Sequence, residues 1–135
     1  MSFEELPHTA DILVRIKAET LEELFTESVR ALMEVMYGGR RDGNDVHEIA
    51  IASHDPASLL VAFLSEVLFL SESDLFVVSA CTVTMEDTSL RACLTGEKFD
   101  PERHSGGTEV KGISYSGIAI EKGSDGYQVD ILFDV

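Results

Sequence analysis

Positive charge is in short supply in this chain. Its 135 residues hold 10 Lys and Arg against 25 Asp and Glu, a formal net charge of −15. Affinity for nucleic acid comes largely from Lys and Arg displacing counterions from phosphates, so the composition argues against a protein that grips RNA by itself. It favours cations and basic protein surfaces instead, unless the charge serves solubility alone. Cysteine is also scarce. Cys81 and Cys93 fit no zinc spacing and suit free thiols in a reducing compartment, a disulfide between them being the less favoured alternative. No uninterrupted apolar run reaches the ~18 residues of a membrane span. The acidic start, Met1-Ser2-Phe3-Glu4-Glu5, has no basic, apolar leader, so a cytoplasmic location is expected. Phosphate-binding glycine loops, dinucleotide fingerprints, nucleophile elbows and paired-His metal motifs are missing. Four histidines (His8, His47, His54, His104) are scattered, and Cys93 lies mid-strand with no activating neighbour, which disfavours a Cys–His nucleophile.

What is present is alternation at both ends of one domain, residues 1–135. After Pro7-His8-Thr9-Ala10, the segment Asp11 to Lys17 sends Ile12, Val14 and Ile16 one way and Asp11, Leu13, Arg15 and Lys17 the other. Proline cannot donate to a ladder, so Pro7 marks the entrance of this strand. At the other end Tyr127, Val129, Ile131, Phe133 and Val135 alternate with Gln128, Asp130, Leu132 and Asp134. An antiparallel pairing with the apolar sets on one face gives the core pairs Ile12–Phe133, Val14–Ile131 and Ile16–Val129. On the other face it sets Leu13 against Leu132 and Arg15 against Asp130. It also sets Asp11 against Asp134, and like charges directly opposite destabilise a sheet. A hard divalent cation between the two carboxylates removes that clash, with the terminal carboxylate of Val135 as a third oxygen donor. Two solvated aspartates at strand ends are the alternative reading.

Between these strands lie two helices. Thr20 and Glu23 form a capping box ahead of Leu21, Leu24, Phe25, Val29, Leu32, Met33 and Met36, with Glu22, Glu23, Glu27 and Glu34 mostly off that stripe and Gly38-Gly39 as the stop. Asp55-Pro56 opens a second, more apolar helix over Leu59 to Leu70, with Glu66 as its flank charge. Strands follow: Val46 to Ala52, a hairpin from Leu75 to Thr95 turning at Asp87-Thr88-Ser89, then Val110 to Ser116 and Ile118 to Glu121, with a loop from Gly96 to Thr108. The expected class is α+β, a two-layer sandwich. It has a mostly antiparallel sheet of about six strands and both helices on one face.

Several stretches together resemble the archease family over essentially the whole length. They are His8-Thr9-Ala10-Asp11, the leucine-rich helix to Glu66, Gly96-Glu97-Lys98-Phe99-Asp100-Pro101-Glu102-Arg103-His104, Val110-Lys111-Gly112-Ile113-Ser114-Tyr115 and the Asp134-Val135 end. The resemblance implies a non-catalytic activator of the RtcB-type tRNA-splicing RNA ligase, promoting guanylylation of the ligase's active-site histidine. It also implies a divalent cation, calcium, held by Asp11, Asp134 and Val135. Ser116 departs from the pattern, since the family usually has histidine after that tyrosine. A metal-dependent hydrolase using the same carboxylates with His8 as acid–base is the rival function, and a general binding or chaperone module the third.

Overall fold

The computed structural model describes residues 1–6, 11–39, 41–115 and 117–135. Its strands at the two chain ends meet as the alternation requires. β2 (Ile12–Ala18) runs antiparallel to β8 (Gly126–Asp134), with Ile12 on Phe133, Leu13 on Leu132, Val14 on Ile131, Arg15 on Asp130 and Ile16 on Val129. Val14, Ile16, Val129, Ile131 and Phe133 are at most 1% exposed. On the opposite face Arg15 forks onto Asp130, Nε to Oδ1 at 2.8 Å and Nη2 to Oδ2 at 3.1 Å. That hydrogen-bonded carboxylate raises the guanidinium pKa further. The pair specifies register more than it stabilises, because both side chains are about a third exposed.

β1 (Ser2–Leu6) lies on the far side of β2, while β6 (Gly112–Ile113) and β7 (Ile120–Gly123) both pair with β8, giving five strands in this sheet. A second sheet has β5 (Ser89–Lys98) between β3 (Asp45–Ala52) and β4 (Phe76–Glu86). Every described strand pair is antiparallel. The α+β class therefore holds, with eight strands in two sheets where about six in one were expected. The β4–β5 hairpin takes β3 as its other partner and shares no ladder with β8. The acidic Ser2-Phe3-Glu4-Glu5-Leu6 forms a strand because Phe3 reaches the core edge. The two late strands are shorter or shifted relative to the alternation, at Gly112–Ile113 and Ile120–Gly123.

The helices join the sheets. α1 (Leu21–Tyr37) packs on β1, β2 and β8 of one sheet and β4 of the other. The backbone N–H of Glu23 donates to Thr20 Oγ1 at 3.1 Å, and Gly38, at φ 82°, closes the helix in the left-handed conformation that glycine tolerates. α2 (Pro56–Ser73) starts at the Asp55 cap, whose Oδ1 accepts from the Ser58 N–H at 2.8 Å. It touches α1, both β3 and β4, and β6. Burial on several sides follows from its wide apolar stripe: Leu59, Leu60, Val61, Phe63, Leu64 and Val67 are all 0% exposed. Each contributes about 1.5–3 kcal/mol through removal from water. Although no apolar run was long enough to suggest it, these 18 residues reach a membrane-crossing length and apolarity, with mean hydropathy 1.4. Ser65, Glu66 and Ser71 interrupt the run, and eight residues of the helix are buried in the protein.

One other expectation changes, and one holds. Glu27 is not on the solvated side of α1 but is fully buried beside β4, one oxygen receiving Arg30 Nη1 at 2.9 Å and the other, Oε1, without a hydrogen-bond partner among the described residues. Burial is tolerable there because Arg30 reaches back one turn to neutralise it. The cysteines are both free. Thr82 faces Cys93 and Cys81 faces Leu94, so the two thiols lie on opposite faces of the sheet, and a disulfide has no geometry. Burial pushes the Cys81 thiol up to about 12, with a smaller contribution from Cys93, so it stays unreactive.

Candidate functional site

Asp11 is the residue before Ile12 and Asp134 the residue after Phe133. The Ile12–Phe133 pair therefore delivers both carboxylates to the same end of the β2–β8 ladder. Asp11 is half-buried, Asp134 exposed, and Val135 packs partly on the core. On the other side of β8 the Lys111 N–H donates to the Asp134 carbonyl at 2.7 Å, Gly112 pairs with Asp134, and the Ser114 N–H donates to the Leu132 carbonyl at 3.0 Å. A Cβ on Gly112 would stand 3.6 Å from Asp134 Oδ2, so that carboxylate lies beside the glycine. Asp134 is thus gripped by its backbone while its side chain stays open.

Among the described residues no ion pair or side-chain hydrogen bond engages the carboxylate of Asp11 or Asp134. No three His, Cys, Asp or Glu side chains converge to hold a metal among those residues either. The chain-end set comprises two side-chain carboxylates and one main-chain carboxylate. In kind it fits a hard divalent cation, being all oxygen; in number it falls short of the about 6–8 oxygens calcium takes, leaving room for water or a partner's group. Pro7, His8, Thr9, Ala10 and Ser116 lie outside the described residues, so the proposed acid–base role of His8 and the departure at Ser116 have no geometry to report. Glu66 is half-buried on α2, where an exposed flank residue was expected.

Five surface cavities of about 550, 510, 90, 370 and 390 Å³ lie elsewhere, and none of the five is lined by Asp11, Asp134 or Val135.

A second polar constellation escaped sequence reasoning. Glu97, at the end of β5, collects the Asp42 N–H at 2.7 Å, His104 Nε2 at 3.1 Å and the Arg103 guanidinium. His104 is 1% exposed and stands among Tyr37 and Phe99, ring centroids 6.0 and 5.9 Å away. Its Nδ1 accepts the Asp100 N–H at 2.8 Å, so that nitrogen is unprotonated and Nε2 carries the hydrogen given to Glu97. Burial, then the nearby Arg103 charge, holds the imidazole below its usual pKa. The signal was legible in part. Asp100-Pro101-Glu102-Arg103 is a turn sequence, and it forms one with Arg103 N–H on the Asp100 carbonyl at 3.0 Å and Glu102 N–H on Asp100 Oδ1 at 3.0 Å.

Together these features define a class: a small acidic α+β domain with two antiparallel sheets joined by a helix pair and carboxylates at one sheet end. The sequence model of the Archease protein family (MTH1598/TM1083) matches residues 3–135. "Protein archease" of Methanosarcina acetivorans is 34% identical over 139 residues, covering 98% of this chain and 95% of that protein. The Pyrococcus furiosus archease is 38% identical over 129 residues, covering 92% and 91%. "Protein archease-like" of Dictyostelium discoideum is 30% identical over 141 residues, covering 99% and 93%. The solution structure of Methanobacterium thermoautotrophicum protein 1598 superposes with a TM-score of 0.86 at 26% identity, covering 98% of both chains. The chain belongs to the archease family.

Proposed function

We propose that this protein is a non-catalytic activator of an RtcB-type tRNA-splicing RNA ligase in the cytoplasm. It promotes guanylylation of the ligase's active-site histidine and so sustains turnover in tRNA splicing. One divalent cation, calcium, would be held by Asp11, Asp134 and the Val135 carboxylate. The single observation that supports this best is the β2–β8 register, which brings two carboxylates, neither of them ion-paired among the described residues, to one sheet end. When bound, the cation supplies a positive centre that joins the strand ends and leaves coordination positions for a partner's oxygen. The chain's own residues do the rest: β8 holds Asp134 in line, Lys111 fixes its carbonyl, and the acidic surface meets the basic surface expected of an RNA ligase.

The test is a guanylylation assay with a cognate ligase, GTP and Mn²⁺. Wild type is compared with Asp11→Ala, Asp134→Ala and a chain extended by a few residues beyond Val135. Activation is expected from wild type and lost in the two alanine variants. The extension moves the terminal carboxylate while sparing every side chain, so normal activation by it removes Val135 from the site. Normal activation by both alanine variants refutes the cation reading altogether.

A further inference from the structure

The segment 99–111 connects the second sheet to the first, and it is tied down at successive points. The Phe99 N–H donates to the Leu75 carbonyl at 2.7 Å. His104 is clamped between Asp100 and Glu97. Gly107 passes so close to α1 that a Cβ there would lie 2.3 Å from the Met36 carbonyl carbon, and Thr108 N–H caps the Val35 carbonyl at 2.8 Å. Val110 is fully buried, and the next residue is Lys111, bonded to Asp134. Beyond Val110, β6 has only two paired residues of its own, too few to set their position unaided.

We propose that this segment is a positioning strap: the buried His104–Glu97 clamp sets where Lys111 and Gly112 meet Asp134, making His104 and Glu97 positioning residues for the chain-end carboxylates. Neither touches the cation in this scheme, and the consequence for cation affinity rests on the reading of Asp134 given above. The groups facing the His104 ring are Glu97, Asp100, Arg103, Arg41 and Tyr37. Of these only Glu97 and the Asp100 N–H hydrogen-bond to it. Loss of the clamp removes one tie of the turn at Asp100, and its effect reaches Lys111 as a shift of the ties that follow, Gly107 against Met36 and the Thr108 N–H on Val35, rather than through β2, which β1 and β8 hold on both sides.

Hydrogen exchange and terbium luminescence test the strap together, on the full chain. His104→Phe keeps a ring between Tyr37 and Phe99 but removes both hydrogen bonds. Glu97→Gln keeps shape and removes the charged acceptor, and serves if the first variant does not fold. His104→Asn retains an acceptor for the Asp100 N–H and is the partial rescue. The Lys111 and Ser114 amides should exchange about tenfold faster in His104→Phe or Glu97→Gln, with the β2–β8 ladder little changed and His104→Asn intermediate. Terbium affinity should fall about tenfold, as when the support behind a metal ligand is lost. Uniform acceleration of all amides, or unchanged Lys111 exchange in a folded variant, overturns the strap. If Lys111 responds as expected while wild type binds no terbium, the strap stands and the cation reading fails.

Discussion

At the scale of single residues, two positions carry conformational or electrostatic tension that can be measured. Leu75 has φ 53° and is 53% exposed, directly after α2 and its C-cap Asp74. A left-handed conformation costs a non-glycine residue about 1–2 kcal/mol, and about half of this side chain is already in water. Leu75→Gly should therefore raise stability by about 1 kcal/mol after the added chain entropy of glycine is counted, read as a higher urea midpoint with unchanged slope. A lower midpoint would show that Leu75 packs in a way its exposure hides. Glu27 and Arg30 give an asymmetric pair, since Glu27 is 0% and Arg30 57% exposed at the side chain. Removing the exposed partner strands a buried carboxylate, one oxygen of which has no hydrogen bond among the described residues. Arg30→Met should cost about 3–5 kcal/mol, clearly more than Glu27→Met, which takes the buried charge away with it. Equal losses in denaturant unfolding would contradict that account. Glu27 could not be read from the sequence: it differs from Glu22 and Glu23 only in facing β4, which requires knowing where α1 lies.

At the scale of elements, what could be read follows from what is periodic. The β2–β8 register was legible because a period of two admits one placement with Ile12, Val14 and Ile16 on Val129, Ile131 and Phe133, and Arg15–Asp130 confirms it. Helix ends were legible because Thr20, Asp55 and Pro56 act within one turn of themselves. The strap was not, since the partners of Glu97 and His104 are set by how the loop folds back. Gly96 of β5 shows the same limit: a Cβ there would lie 2.0 Å from the Val77 carbonyl oxygen of the neighbouring strand, a fact of pairing and not of local sequence. The clamp also fixes a pH dependence. His104 is held neutral, with its folded pKa below the ordinary 6.5, so the unfolded chain binds more protons in that window. Stability from this group is complete above about pH 6.5 and is lost progressively as pH falls toward the folded pKa. His104→Phe should lower the urea midpoint at pH 7.5 and flatten its decline between pH 7 and 5. A parallel decline in both proteins would assign the acid sensitivity to other groups.

At the scale of the whole molecule, the excess of 15 negative charges acts in two ways that salt separates. Diffuse self-repulsion disfavours the compact state and weakens with ionic strength, whatever the cation. A specific site responds to one cation and saturates. Thermal unfolding in NaCl and in CaCl₂ at matched ionic strength distinguishes them. Both salts should raise the midpoint by screening. Calcium should add a further increment of about 2.7 kcal/mol at a hundredfold excess over its Kd. That increment should vanish in Asp134→Ala while the screening part remains, because one carboxylate fewer leaves the general repulsion almost unchanged. The same charge opposes contact with RNA phosphates, so filter binding at about 0.15 M salt should detect no tight RNA complex of the isolated protein. Calcium and sodium curves that coincide in wild type would reduce Asp11 and Asp134 to two solvated aspartates at a strand end, and the acidic surface would then be the only feature left for a basic partner to recognise.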